Sequence, residues 1–247
     1  EPVPDTATPI VIIDKDKEMK NNSIQIFFKH DIFPDSLKGT LVNYINEYIK
    51  DAAVSMLNDR FTEEAQKANC PYVGAQAGDG EYIFSKTKDA FYLAAAPKEM
   101  EQTAASLKAI MVEARRAADF GFTPTEYKRY QENYLSSLDK MWEGRDKRSN
   151  TLFYNECKEN FLNHEPISPI EFDYNTMKQI VPMIPIEAIN EAMKKFVPAN
   201  DSNMVIINFN TEKEGNVYPT EAGLLNAIKE ARAEKIDAYV DNSLFSC

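Results

Sequence analysis

The chain is poor in histidine: among 247 residues only His30 and His164 occur. A zinc centre built on histidines has almost no ligands to draw on. Cysteine is nearly as scarce, with Cys70, Cys157 and Cys247 scattered too widely for a disulfide framework or a Cys-x-x-Cys knuckle. They read as buried or incidental thiols. No apolar run approaches the roughly 18 residues that cross a bilayer. Basic residues are outnumbered, 28 Lys plus Arg against 39 Asp plus Glu, for a formal charge of −11. That balance excludes a nucleic-acid backbone as the main partner, because phosphate binding needs a basic footprint.

What is present is globular: 43% hydrophobic and 11% aromatic residues can build a substantial core. The opening at Glu1 without a Met and the apolar end Ser243 to Cys247 suggest a piece of a longer protein, with any targeting segment upstream.

Strands are expected at Pro9 to Ile13 and Ser23 to His30, where Ile24, Ile26 and Phe28 share a period-2 face, with Asp14 to Asn22 as the turn. A long helix is expected from Leu37 to Lys67, its apolar stripe formed by Leu41, Tyr44, Ile45, Tyr48, Ala52, Met56 and Leu57. Tyr72 to Gln76 and Glu81 to Ser85 read as a hairpin around Gly78-Asp79-Gly80, followed by a strand from Ala90 to Ala96. Gly74, Gly78 and Gly80 do not make a phosphate loop, since no Lys-Ser or Lys-Thr and no helix start follows.

Lys98 to Asp119 reads as an amphipathic helix ended by Phe120-Gly121. Thr123-Pro124-Thr125-Glu126 then carries an N-cap hydroxyl, a first-position proline and a capping-box glutamate, with Phe122 and Tyr127 as a hydrophobic staple. The stripe Tyr127, Tyr130, Tyr134, Leu138 and Met141 behind it reads as core. After the charged break at Gly144 to Arg148, helices are expected through Leu162, at Glu171 to Ile180 and at Pro185 to Phe196. A buried strand at Met204 to Phe209 and a helix from Thr220 to Ala238 close the chain. The order implies an α+β fold over 1–247 as one domain: a mostly antiparallel sheet covered on one face by helices.

No catalytic constellation emerges. His164-Glu165 begins like His-Glu-x-x-His, but the fourth position on is Ser168, and Pro166 and Pro169 would break the helix. The inverted form fails because Asp31, Ile32, Phe33 and Pro34 follow His30. Both histidines read as surface or capping residues. There is no Gly-x-Ser-x-Gly elbow, and carboxylate pairs such as Glu63-Glu64 and Asp14/Asp16 read as solvated surface. No metal ligand and no catalytic residue is assigned.

The ordered elements nevertheless resemble the pitrilysin/insulinase family of zinc metallopeptidases. The passage from the long helix through Leu57-Asn58-Asp59-Arg60-Phe61 to Pro71-Tyr72 carries the resemblance. So do Phe120 to Tyr127, and Ile184 to Asn200 leading into Met204 to Phe209. The resemblance implies a clamshell of homologous α+β domains, of which one carries His-x-x-Glu-His and zinc while others shape the chamber. This chain lacks the motif, so it resembles a non-catalytic domain with no cofactor of its own. Its implied partners are a zinc-bearing catalytic domain of the same parent chain and a peptide substrate. Some such domains point an Arg and a Tyr at the substrate. Tyr72 sits at the tyrosine position, but the arginine position falls near Ala65 or Gln66. Periplasmic or envelope placement is the family-level expectation. A structural or assembly subunit on the same fold is the alternative, and an unrelated acidic binding module is a weaker third reading.

Overall fold

In the computed structural model, which describes residues 2–147 and 149–241, five strands form one sheet in the order β1-β5-β2-β4-β3. They are β1 (Ile10–Asp16), β2 (Ser23–Asp31), β3 (Tyr72–Glu81), β4 (Lys88–Pro97) and β5 (Met204–Thr211). β2, β3, β4 and β5 meet in antiparallel pairs, and β1 joins β5 in parallel. The helices are α1 (Leu41–Ala65), α2 (Thr103–Phe120), α3 (Pro124–Glu143), α4 (Asn150–Asn163), α5 (Ile170–Ile180), α6 (Ile186–Phe196) and α7 (Glu221–Ala233). This is the α+β arrangement expected from the sequence.

The period-2 face of β2 explains the layering. Ile24, Ile26 and Phe28 lie opposite Ala95, Leu93 and Phe91 of β4, and all six are buried in the core with α1 and α2. Phe91 stacks on Phe196 of α6 at 4.7 Å between ring centres. Ala52, Ala53, Ala114 and Ala117 are fully buried, small residues that let α1 and α2 approach the sheet and each other closely. The capping box of α3 forms as its sequence dictates: Thr123 Oγ1 accepts from the Glu126 N–H, and the Glu126 carboxylate accepts from the Thr123 N–H at 2.7 Å. Tyr130 and Tyr134 pack around the buried Tyr48 ring. The stripe is core there, while Met141 at its end is exposed.

Four expectations need correction. The glycines at 78 and 80 do not turn: β3 runs straight through them to Glu81, and the turn lies at 82–87. Gly78 is demanded by packing, since a Cβ there would stand 2.5 Å from the Tyr92 ring. β1 runs into the segment expected as a turn, to Asp16, and it is not beside β2 in the sheet, because β5 inserts between them. The long helix begins at Leu41, which is exposed, after a 3₁₀ turn at Asp35–Leu37. The last helix ends at Ala233, and the segment beyond it runs back over α2, where Arg115 and Arg116 donate to the carbonyls of Ala231, Glu234 and Asp237. Cys247 lies outside the described residues.

One charge cluster is built into the core. Arg60 of α1 is 1% exposed and donates to Glu126 twice, at 2.7 and 3.0 Å, to Glu113 at 3.3 Å and to the Gly121 carbonyl at 3.1 Å. Phe122 and Tyr239 lie over its guanidinium.

Candidate functional site

The C-terminal ends of β2 and β3, the start of β4 and the first turns of α1 surround two adjoining clefts of about 700 and 560 Å³. Ile32, Phe33, Lys50, Asp79 and Asp89 line both. At the shared floor, the Asp79 carboxylate has a side-chain exposure of 1%. Its position follows from strand alternation: Ala77 and Asp79 point to the helix face while Gly78 and Gly80 point away.

His30 Nε2 lies 2.7 Å from Asp79 Oδ1, and Lys50 Nζ lies 2.7 Å from Asp79 Oδ2. The lysine contact is an ion pair. Burial pushes the Asp79 carboxyl up, but the His30 hydrogen bond and the Lys50 charge outweigh it and hold it below its ordinary value. Burial pushes His30 down, yet the bond to Asp79 and its charge raise it above the ordinary value. Lys50 is likewise raised, the Asp79 charge overcoming burial. Burial raises Asp89 despite Lys50 and His30 nearby.

The other ring nitrogen, His30 Nδ1, lies 2.9 Å from the Asp31 carbonyl. Both nitrogens therefore face acceptors, and both contacts are satisfied together only when the ring is an imidazolium. In that form neither nitrogen has a lone pair to hold a metal or take a proton from a nucleophile. The cluster pins β2, β3 and α1 together at the cleft floor.

His164 sits elsewhere, as the left-handed residue that ends α4, with Nδ1 3.0 Å from Asp35 Oδ2. Its hydrogen bond holds Asp35 below the ordinary carboxylate value, with Lys38 assisting. The capping reading of His164 fits, whereas His30 is a half-buried strand residue in an ion pair. Among the described residues no group of three or more His, Cys, Asp and Glu side chains could hold a metal ion.

Tyr72 opens β3 at the opposite end from Asp79, roughly 23 Å away along the strand. It is 2% exposed, beside a separate cavity of about 450 Å³ that Glu64, Cys70, Glu113 and Arg116 help line. Burial, with Cys70 adding, pushes its phenol well above the ordinary tyrosine value. Tyr72 and the Asp79 cluster form two sites. Sequence reading missed Asp79, Lys50 and Asp89 because it placed Asp79 in a turn; the Ala75-Ala77-Asp79 alternation was the available signal.

No family model matches the sequence, and no curated protein matches it. Solved structures do. The first half of the periplasmic protease PqqL from Escherichia coli superposes with a TM-score of 0.82 at 17% identity, over 97% of this chain and 50% of that one. Against the structure of PqqL reported without that restriction, the chain covers 26% of the length at a TM-score of 0.81 and 17% identity. A predicted insulinase family protease from Yersinia pestis aligns at a TM-score of 0.73 and 10% identity, over 94% of this chain and 47% of that one. A peptidase M16 inactive domain from Pseudomonas fluorescens aligns at 0.54 and 16%, over 89% and 47%. The chain spans half or less of each of these relatives, and it has the fold of the pitrilysin/insulinase-type peptidases.

Proposed function

We propose that this chain is one non-catalytic domain of a zinc metalloendopeptidase and forms part of a peptide-enclosing chamber. The observation that supports this reading is a fold shared with protease halves together with histidines placed apart: His30 pairs with Asp79 and Asp31, and His164 stands at the end of α4. A zinc-bearing domain of the parent would supply water activation. A peptide must also be held extended and shielded from bulk water, and a sheet domain closing over the first serves that purpose.

The −11 charge biases such a chamber toward basic peptides by long-range attraction. Equal cleavage of basic and acidic peptides at low salt would remove that element. Tyr72 remains the residue assigned to peptide contact, by resemblance. Y72F in the parent is expected to raise KM, and unchanged kinetics would take Tyr72 out of the site. The periplasm is the compartment of this reading, in keeping with the periplasmic PqqL; no helix among the described residues is long and apolar enough to cross a membrane.

The test is to read the parent coding sequence beyond this chain and to assay the parent for peptide cleavage. A His-x-x-Glu-His motif outside this chain, with cleavage abolished by chelation, is expected. A parent without that motif and without cleavage would favour a structural or assembly subunit.

A further inference from the structure

The strand β3 lies at one edge of the sheet. Ten residues long, it is the kind of edge that invites pairing with another chain. Midway along it, an α1 side chain already makes the pairing. Ala77 N–H donates to Asn58 Oδ1 at 2.6 Å, and Asn58 Nδ2 donates to the Ala77 carbonyl at 3.1 Å. Only this assignment of the amide oxygen and nitrogen gives two donor–acceptor contacts.

Because strand polar groups alternate in direction, a residue that turns both its N–H and C=O away from β4 shares that orientation with the residues two before and two after it. Ala75, Ala77 and Asp79 thus define the outward ladder, and Asn58 occupies its central rung. A carboxamide carries one acceptor and one donor, which here meet both outward groups of Ala77. Asn58 therefore stands in for the backbone of a neighbouring strand.

We infer that Asn58 is an edge guard: its amide fills the hydrogen-bonding positions at Ala77 and closes β3 against antiparallel pairing with the β3 of a second copy of this chain. Without it, two identical edges meet about Ala77 in an isologous pair. The charges within β3, Asp79 and Glu81, lie at its C-terminal end, away from the central rung. The outward side chain beside Ala77 is the neutral Gln76, which is exposed, and no lysine lies within β3. At the opposite edge, β1 is shorter and ends in Asp14, Lys15 and Asp16, charges that discourage edge pairing.

The test compares wild type with N58A by native-state amide exchange and by sedimentation over a range of concentrations. Alanine is a better helix former than asparagine, so α1 is retained; should N58A fold poorly, N58S removes the same reach. The Ala77 amide is expected to exchange at least about tenfold faster in the variant, and the variant to associate at concentrations where wild type does not. Adding Q76K, a charge on the same edge, is expected to abolish that association. An N58A or N58S protein that associates no more than wild type overturns the inference. So does association that Q76K leaves unchanged.

Discussion

Arg60 and Glu126 meet in a two-pronged ion pair inside the core, although 66 positions separate them in the chain. Glu126 is also the capping-box glutamate of α3. One carboxylate thus holds the start of α3 and, with Glu113, neutralises the buried cation of α1. Removing Arg60 leaves the buried Glu126 carboxylate without its cation, and removing Glu126 leaves the Arg60 guanidinium only Glu113, at 3.3 Å, as a carboxylate partner. R60A and E126A are each expected to cost about 3–5 kcal/mol, read by urea denaturation. The double variant is expected to lose less than the sum, and strict additivity would mean that the two do not act as a unit.

The Asp79 pair makes a pH prediction with two signs. Asp79 is held below its ordinary 3.8, so its contribution to stability is present above that value and is lost as pH falls through the folded-state value. His30 is raised above 6.5, so its contribution is complete below 6.5 and is lost as pH rises through the folded-state value. The His30–Asp79 contribution is therefore largest between these limits. D79N is expected to lower the His30 titration midpoint in an NMR pH series. An unchanged midpoint would contradict the assigned partner.

Gly78 and Tyr92 make a steric prediction. A Cβ at 78 would enter the Tyr92 ring space, so G78A is expected to destabilise by about 1–3 kcal/mol. The loss should shrink in a Y92L background, where the ring is gone. A G78A protein as stable as wild type would show that the ring moves aside freely.

These contacts also mark how far the sequence could be read. The capping box at Thr123–Glu126 was legible because its hydrogen bonds close within four residues. The core face of β2 was legible because alternation along one strand announces it. The extension of β3 through Gly78-Asp79-Gly80 was not legible: glycine there answers to Tyr92, on the next strand. The Asp79 site was hidden for the same reason, as its partners arrive from β2 and α1. The burial of Arg60 was equally unreadable, since its partners Glu113 and Glu126 lie 53 and 66 positions away.

The most direct test of the non-catalytic assignment is zinc analysis of this 247-residue chain together with a peptide-cleavage assay on the same sample. After equilibration with zinc and removal of the free ion, the chain is expected to retain no stoichiometric metal and to cleave no peptide. One zinc retained per chain, with cleavage that a chelator abolishes, would contradict the account.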